Sequence, residues 1–167
     1  PEFAAVIHAR GQANGWQLGD MMYDADDHII GSSYFWASRH GAGDAAIVPM
    51  RVRLDAILAK PPVNDLNFEG NGLACRDRWC WSDALFMAPP VWLEMSKVTG
   101  DLRYANYAKR EFRATTGKLY DPASHLYFGD SRFFERRGIN GKKIFWSRGN
   151  GWVFAGLARM ISLLPEG

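Results

Sequence analysis

Pro89-Pro90-Val91-Trp92-Leu93-Glu94-Met95-Ser96-Lys97-Val98-Thr99-Gly100-Asp101-Leu102 (residues 89–102) is the stretch that decides the fold. Val91, Trp92, Met95 and Val98 recur at the spacing of one helical face. Within a helix over Trp81–Val98, the two prolines either kink the chain or end a short first turn and open a second helix. Gly100 suits the left-handed position that ends a helix, and Asp101 can cap the next one. A helix over Leu102–Thr116 follows at once, so the two predict an antiparallel helical hairpin.

Working outward, the helical pattern continues on both sides. Upstream, His28–Ser38 carries Ile29, Ile30, Ser33, Tyr34 and Ala37 near helical spacing, with Asp26 or Asp27 as its cap. Asp44–Lys60 aligns Ile47, Met50, Leu54, Ile57 and Leu58, and Pro61-Pro62 ends it. Val63–Cys80 is rich in Asn, Asp and Gly and reads as a loop. Downstream, Leu119–Ile144 is irregular, with turns at Asp121-Pro122 and Asn140-Gly141 and strand-like runs at Leu126–Phe128 and Lys143–Trp146. Asn150 is placed to cap a last helix, Gly151–Leu164. Five or six helices without α/β alternation make the chain mainly α, built of stacked helical hairpins.

The composition excludes several classes. The chain has 167 residues, 47% apolar and 23% charged, which rules out disorder. No apolar run is long enough to predict a membrane span. A net charge of +2 gives no basis for nucleic-acid binding. Cys75 and Cys80 stand alone as C-x4-C, which predicts neither a zinc site nor a disulfide scaffold, since a chain of this size can bury a core without staples. The N-terminus lacks the pattern of a secretion signal. Pro1-Glu2-Phe3 reads as vector-derived, leaving residues 4–167 as a single all-α segment. Aromatic residues reach 14%, including seven Trp, a share that suits either a large aromatic core or a sugar-binding surface.

Common catalytic motifs fail on their partners. Gly149-Asn150-Gly151 opens a helix, but Phe154 stands where a dinucleotide fingerprint needs its third glycine. Gly129-Asp130-Ser131 has no later His or Asp to complete a serine hydrolase. What remains is acidic, basic and aromatic. Asp83 lies in Trp79-Cys80-Trp81-Ser82-Asp83-Ala84-Leu85-Phe86, where aromatic neighbours withdraw it from water. That raises a carboxyl pKa, as a general acid requires, although Ser82 or Asp83 also suits a plain helix cap. Asp26 and Asp27 mark a second acidic helix start, with the same two readings. The segment Arg132–Arg148 gathers Arg132, Arg136, Arg137, Lys142, Lys143 and Arg148 against Glu135. It reads as a solvated loop or as a receptor for a carboxylate, which Arg binds in a fork. Arg148 stands out, wedged between Trp146 and Trp152 at a helix N-terminus. His125, before Tyr127 and Phe128, has no partner in sequence.

Four blocks carry a resemblance. They are Trp81-Ser82-Asp83-Ala84-Leu85-Phe86-Met87-Ala88-Pro89-Pro90; Val98-Thr99-Gly100-Asp101; His125-Leu126-Tyr127-Phe128-Gly129-Asp130-Ser131-Arg132; and Phe145-Trp146-Ser147-Arg148-Gly149-Asn150-Gly151-Trp152 running on to Arg159. With Asp26-Asp27-His28 and Gly31, they resemble the unsaturated rhamnogalacturonyl hydrolases of glycoside hydrolase family 105, close to the unsaturated glucuronyl hydrolases. The resemblance runs from about Asp24 to Pro165. It implies an (α/α)6 barrel, six helical hairpins in a ring with the active site at the mouth of the inner helices. It implies an unsaturated uronyl oligosaccharide as substrate, a 4,5-unsaturated galacturonate on rhamnose, and hydration of its double bond in place of ordinary glycoside hydrolysis. It implies no metal and no organic cofactor.

By the same resemblance, Asp83 is the general acid/base and Asp26 or Asp27 the second acidic residue. His125, Arg148 and Trp152 hold the uronate, with Trp81 and His28 beside them. The length departs from the family: the chain holds about half the helices, a partial barrel of about three hairpins. Either the chain is an excised or truncated piece, or a second copy or a partner chain completes the ring; the alternative to catalysis is a non-catalytic half-barrel that binds sugar or assembles with another chain. The missing leader leads us to expect a cytoplasmic bacterial enzyme, with no nucleic-acid or membrane partner.

Overall fold

The computed structural model describes residues 2–164. Pro1 of the vector-like tripeptide and Pro165 at the end of the resembling stretch lie outside them. The described helices are α1 (Glu2–Ala13), α2 (Ala25–His28), α3 (Gly31–Ala37), α4 (Val48–Ala59), α5 (Leu73–Arg76), α6 (Ala84–Met87), α7 (Pro89–Thr99), α8 (Leu102–Leu119) and α9 (Ser147–Ile161). A two-stranded antiparallel hairpin, β1 (Tyr120–Asp121) and β2 (Leu126–Tyr127), sets Tyr120 opposite Tyr127. No described helix is long and apolar enough to cross a membrane.

The corner at Thr99-Gly100-Asp101 forms as the sequence predicts. Gly100 takes φ 71° and its amide returns to the Ser96 carbonyl at 2.8 Å. The Asp101 carboxylate caps α8 by accepting from the Arg103 amide at 2.9 Å. The turn sends α8 back along α7, and α7 also packs on α3, α6 and α9. The core lies around that hairpin. Trp92 of α7 stacks on Tyr107 of α8 with ring centroids 4.1 Å apart, and Trp79 meets the edge of Tyr107 at 5.9 Å. Met50, Leu54 and Ile57 of α4 and Phe35 of α3 close it. Each buried side chain of this size contributes about 1.5–3 kcal/mol, so the hairpin is the seed of the fold.

Several expectations are corrected. The sequence reading assigned no helix before Asp24, yet α1 begins at Glu2. The expected helix over His28–Ser38 is divided at Ile29–Ile30, and Asp24 is its cap, accepting from the Asp26 amide at 3.0 Å. A short 3-10 turn at Asp44–Ala46 takes up the start of the expected Asp44–Lys60 helix. Of the two readings of the prolines, the second holds: the short α6 ends at Met87 and α7 opens on Pro89. Asn150 does not cap α9, which starts at Ser147. Instead its amide sits in the first turn and binds both the amide and carbonyl of Tyr127, at 2.8 and 2.9 Å, tying α9 to β2. Cys75 and Cys80 form a disulfide, which the sequence reading did not expect. Both are buried in a small cluster with Leu66, so the bridge closes one loop and does not staple the whole fold.

Helix α9 approaches α6 closely because two glycines face it. A Cβ on Gly156 would come within 2.4 Å of the Leu85 carbonyl oxygen, and one on Gly149 within 2.6 Å of Ser82 Oγ. The outer face of α9 is uncovered, with Phe154 77% and Ile161 73% exposed. Gly156→Ala is expected to cost about 1–3 kcal/mol by overpacking, measured by urea unfolding. Gly151→Ala, where a Cβ meets nothing within 4 Å, is expected to stabilise by about 0.5–1 kcal/mol through helix propensity.

Candidate active site

Three segments meet at one end of the helices. The first is the Asp24–Asp27 turn that opens α2. The second is the loop Leu73–Trp81, and the third is the start of α6 at Asp83. The loop is held from behind. Glu111 of α8, only 1% exposed, receives Arg78 Nε at 2.6 Å and Arg110 Nε at 2.9 Å. Thr115 Oγ1 donates to the Trp79 carbonyl at 2.9 Å. These contacts hold Trp79 at φ 56°, a left-handed conformation that a bulky residue adopts only when its surroundings enforce it. The Ser82 amide donates to the Gly129 carbonyl at 3.0 Å, fastening the segment before Asp83 to the loop after β2.

Asp26 and Asp83 line one cleft, together with Asp24, Arg76, Trp79 and Trp81. Its free volume of about 20 Å³ is room for a single water. Burial pushes the Asp83 carboxyl above its ordinary pKa and the charge of Asp26 pushes it further; backbone amides and Arg148 oppose them. Asp26, exposed at the rim of the cleft, is also raised, first by partial desolvation and then by Asp24, while Arg76 pulls it down. Asp83 therefore holds its proton more tightly than a free carboxyl, the state a general acid needs.

Asp27 faces elsewhere. Its Oδ2 accepts from the Met21 amide at 2.7 Å, and its carboxyl packs on Gly19, so it fastens the loop ahead of α2. Of the tandem, Asp26 is the residue brought to Asp83. Arg148 lies over the Trp146 ring at 4.8 Å, exposed and without a carboxylate partner among the described residues. Trp152, one turn further along α9, meets Phe86 at 4.6 Å. Most of the remaining basic segment is engaged. Arg132 forks onto Asp130 and lies over Phe68, Arg137 binds the carbonyls of Phe134 and Arg136, and Lys143 pairs with Asp121. Arg148 is thus the cation whose position suits an incoming anion beside Asp83.

The two histidines are not brought to this cleft. His125 sits in the β1–β2 turn at φ 53°, exposed, with Nδ1 against the Tyr120 hydroxyl at 3.1 Å. His28, expected beside the substrate, is a core residue at 1% exposure. The Trp92 indole N–H donates to its Nδ1 at 3.4 Å, and Nε2 faces the Met22 carbonyl at 3.1 Å. That pattern fits only the neutral ring with its proton on Nε2. Burial lowers the His28 pKa to about 4. Sequence reasoning missed Asp24 and Arg76. Asp24 was visible as a third acid of the same helix start, whereas Arg76 carried no signal within a loop read only by composition.

Because the folded pKa of His28 lies below its free value, the unfolded chain takes up the proton first as pH falls. The stability this contributes is complete above pH of about 6.5 and is lost on the way down to about 4. The loss expected on acidification is up to about 3 kcal/mol. Between pH of about 6.5 and 5, denaturation midpoints are expected to fall more in the parent than in His28→Gln.

The described residues thus form packed helical hairpins with two acidic side chains, Asp26 and Asp83, in one cleft. The chain matches the family described as Glycosyl Hydrolase Family 88 over residues 2–167, and it belongs to that family. It is 43% identical over 157 residues to an unsaturated 3S-rhamnoglycuronyl hydrolase of Alteromonas sp. (strain LOR), covering 87% of this chain and 37% of that protein. It is 32% identical over 172 residues to the enzyme of the same name from Formosa agariphila, covering 98% and 46%. A solved glycosyl hydrolase family 88 structure from Bacteroides vulgatus superposes with a TM-score of 0.81 at 22% identity, over 98% of this chain and 49% of that one. The chain thus spans less than half the length of these relatives.

Proposed function

We propose that this chain carries the acid side of an active site that hydrolyses unsaturated uronyl–rhamnose glycosides by hydrating the sugar double bond. The observation that carries this reading is the Asp26–Asp83 cleft, where burial and the charge of Asp26 push the Asp83 carboxyl above its ordinary pKa and the charge of Arg148 opposes them. In this mechanism Arg148 receives the uronate carboxylate, and Trp152 and Trp81 offer ring faces to the sugar. Asp83 donates its proton to C4 of the vinyl ether. The ring oxygen stabilises the cation that forms at C5, water adds there, and the Asp83 carboxylate recovers a proton from that water. The resulting hemiketal opens, the glycosidic bond breaks, and the neighbouring sugar leaves. One acid that gives and then takes back a proton suffices, unlike the two-carboxylate scheme of most glycosidases. Neither histidine has a place at the sugar in this scheme.

The names of the relatives support a uronyl–rhamnose linkage more broadly than the galacturonyl form the sequence resemblance implied. The Cys75–Cys80 bridge argues for an oxidising compartment over the cytoplasm. The uncovered apolar face of α9 favours a second reading, in which this chain binds sugar but turns over only when further helices complete the ring. The test is the ultraviolet absorbance of the conjugated uronate in an unsaturated uronyl–rhamnose disaccharide. The absorbance is expected to decay with this chain, and to decay at least about 100-fold more slowly with Asp83→Asn. Disaccharide binding without decay supports the second reading, and neither binding nor decay contradicts both.

A further inference from the structure

Arg76 is the cation at the centre of the acidic corner. Its Nη1 donates to Asp24 Oδ2 at 3.1 Å, its guanidinium lies 5.7 Å from the Trp81 ring centroid, and its side chain lines the Asp26–Asp83 cleft. Asp24 in turn accepts the Asp26 amide at 3.0 Å, so cap, cation and acid form one unit. The Cys75–Cys80 bridge closes the loop in which Arg76 lies, and the Arg78–Glu111 pair anchors that loop to α8. Nothing in the proposed proton transfer uses Arg76, although it borders both carboxyls.

We infer that Arg76 is a positioning residue that biases the proton shared by the cleft's two carboxyls away from Asp26 and toward Asp83. This rests on the reading of Asp83 given under Proposed function. The charges that face Asp26 are Asp24 and Asp27 on its own turn and Arg76 from the loop; those that face Asp83 are Asp26 and Arg148. Asp77, on the same loop as Arg76, lies within reach of Asp24, and Arg53 of α4 binds the Gly19 and Met21 carbonyls beside Asp27. Arg76 is the cation that opposes burial and two like charges at Asp26. Without it, Asp26 keeps its proton to higher pH. The negative charge beside Asp83 is then absent over that range, and Asp83 gives up its proton at lower pH. The two carboxyls move in opposite directions. Mere loosening of the fold would lower both, because burial raises both.

The experiment is a carboxyl-carbon NMR titration of Asp26 and Asp83 in the full chain and in Arg76→Gln, with folding checked by circular dichroism. The expected result is a rise in the Asp26 midpoint and a fall in that of Asp83, with Arg76→Lys returning both toward the parent. Arg76→Met keeps the stem against Trp81 and must show the same opposed shifts if the Gln protein does not fold. Midpoints that stay put, or that fall together, in a folded variant overturn the inference. The titration needs no turnover. Opposed shifts in a chain that leaves the disaccharide intact support the control of protonation by Arg76 while contradicting the hydrolytic reading.

Discussion

The contact on which the site depends is the close approach of α9 to α6. Two glycines allow it, Gly156 against the Leu85 carbonyl and Gly149 against Ser82. Asp83 stands at the start of α6, and Arg148 and Trp152 occupy the first turns of α9. If α9 stood off by the width of a methyl group, its cation and its aromatic face would withdraw from the acid together. The Asn150 clasp on Tyr127 sets the level of α9 along its axis, and the Ser82–Gly129 bond sets that of Asp83. Backbone contacts and the Asn150 side-chain amide therefore set the position of α9 against α6.

A second constraint is electrostatic. Asp24, Asp26, Asp27 and Asp83 crowd one end of the helices, an arrangement that costs stability unless protons or cations offset it. The fold separates their tasks. Asp24 caps α2 and pairs with Arg76, and Asp27 holds the Met21 amide. Asp26 and Asp83 are left to share a cleft. The loop that supplies Arg76, Trp79 and Trp81 is pinned by a disulfide, an ion pair to a buried glutamate and a hydroxyl. A loop with so many anchors serves to hold groups still, which proton transfer at a fixed carbon requires.

Much of this was legible in the sequence. The Gly100–Asp101 corner and the apolar stripes of α4 and α7 are local signals, and local signals survive folding. Asp83 stood out because its aromatic neighbours are adjacent in sequence as well as in space. The rest depended on contacts that spacing does not encode. Asp26 and Asp27 differ by one position, and only the turn capped by Asp24 decides which of them faces the cleft. His28 looked like part of an acidic motif but lies inside, satisfied by Trp92 from a distant helix. Helix α1 escaped notice because it carries no continuous apolar stripe and leaves Phe3 and Val6 exposed. The disulfide escaped notice because two cysteines in a loop reveal nothing of whether their sulfurs converge.

The uncovered faces of α1 and α9 agree with a chain that spans less than half of its relatives. Asp83, Asp26, Arg148, Trp152 and Trp81, the residues of the proposed site, nevertheless all lie on this chain. A crystal structure of Asp83→Asn with an unsaturated uronyl–rhamnose disaccharide tests that claim most directly. The account predicts the uronate carboxylate on Arg148 and the double bond facing residue 83, with the ring against Trp152 or Trp81. A disaccharide seated among Arg10, Asn14 and Asp27 in the cleft between α1 and α3, which adjoins the first at Asp26, and out of reach of residue 83, would contradict it.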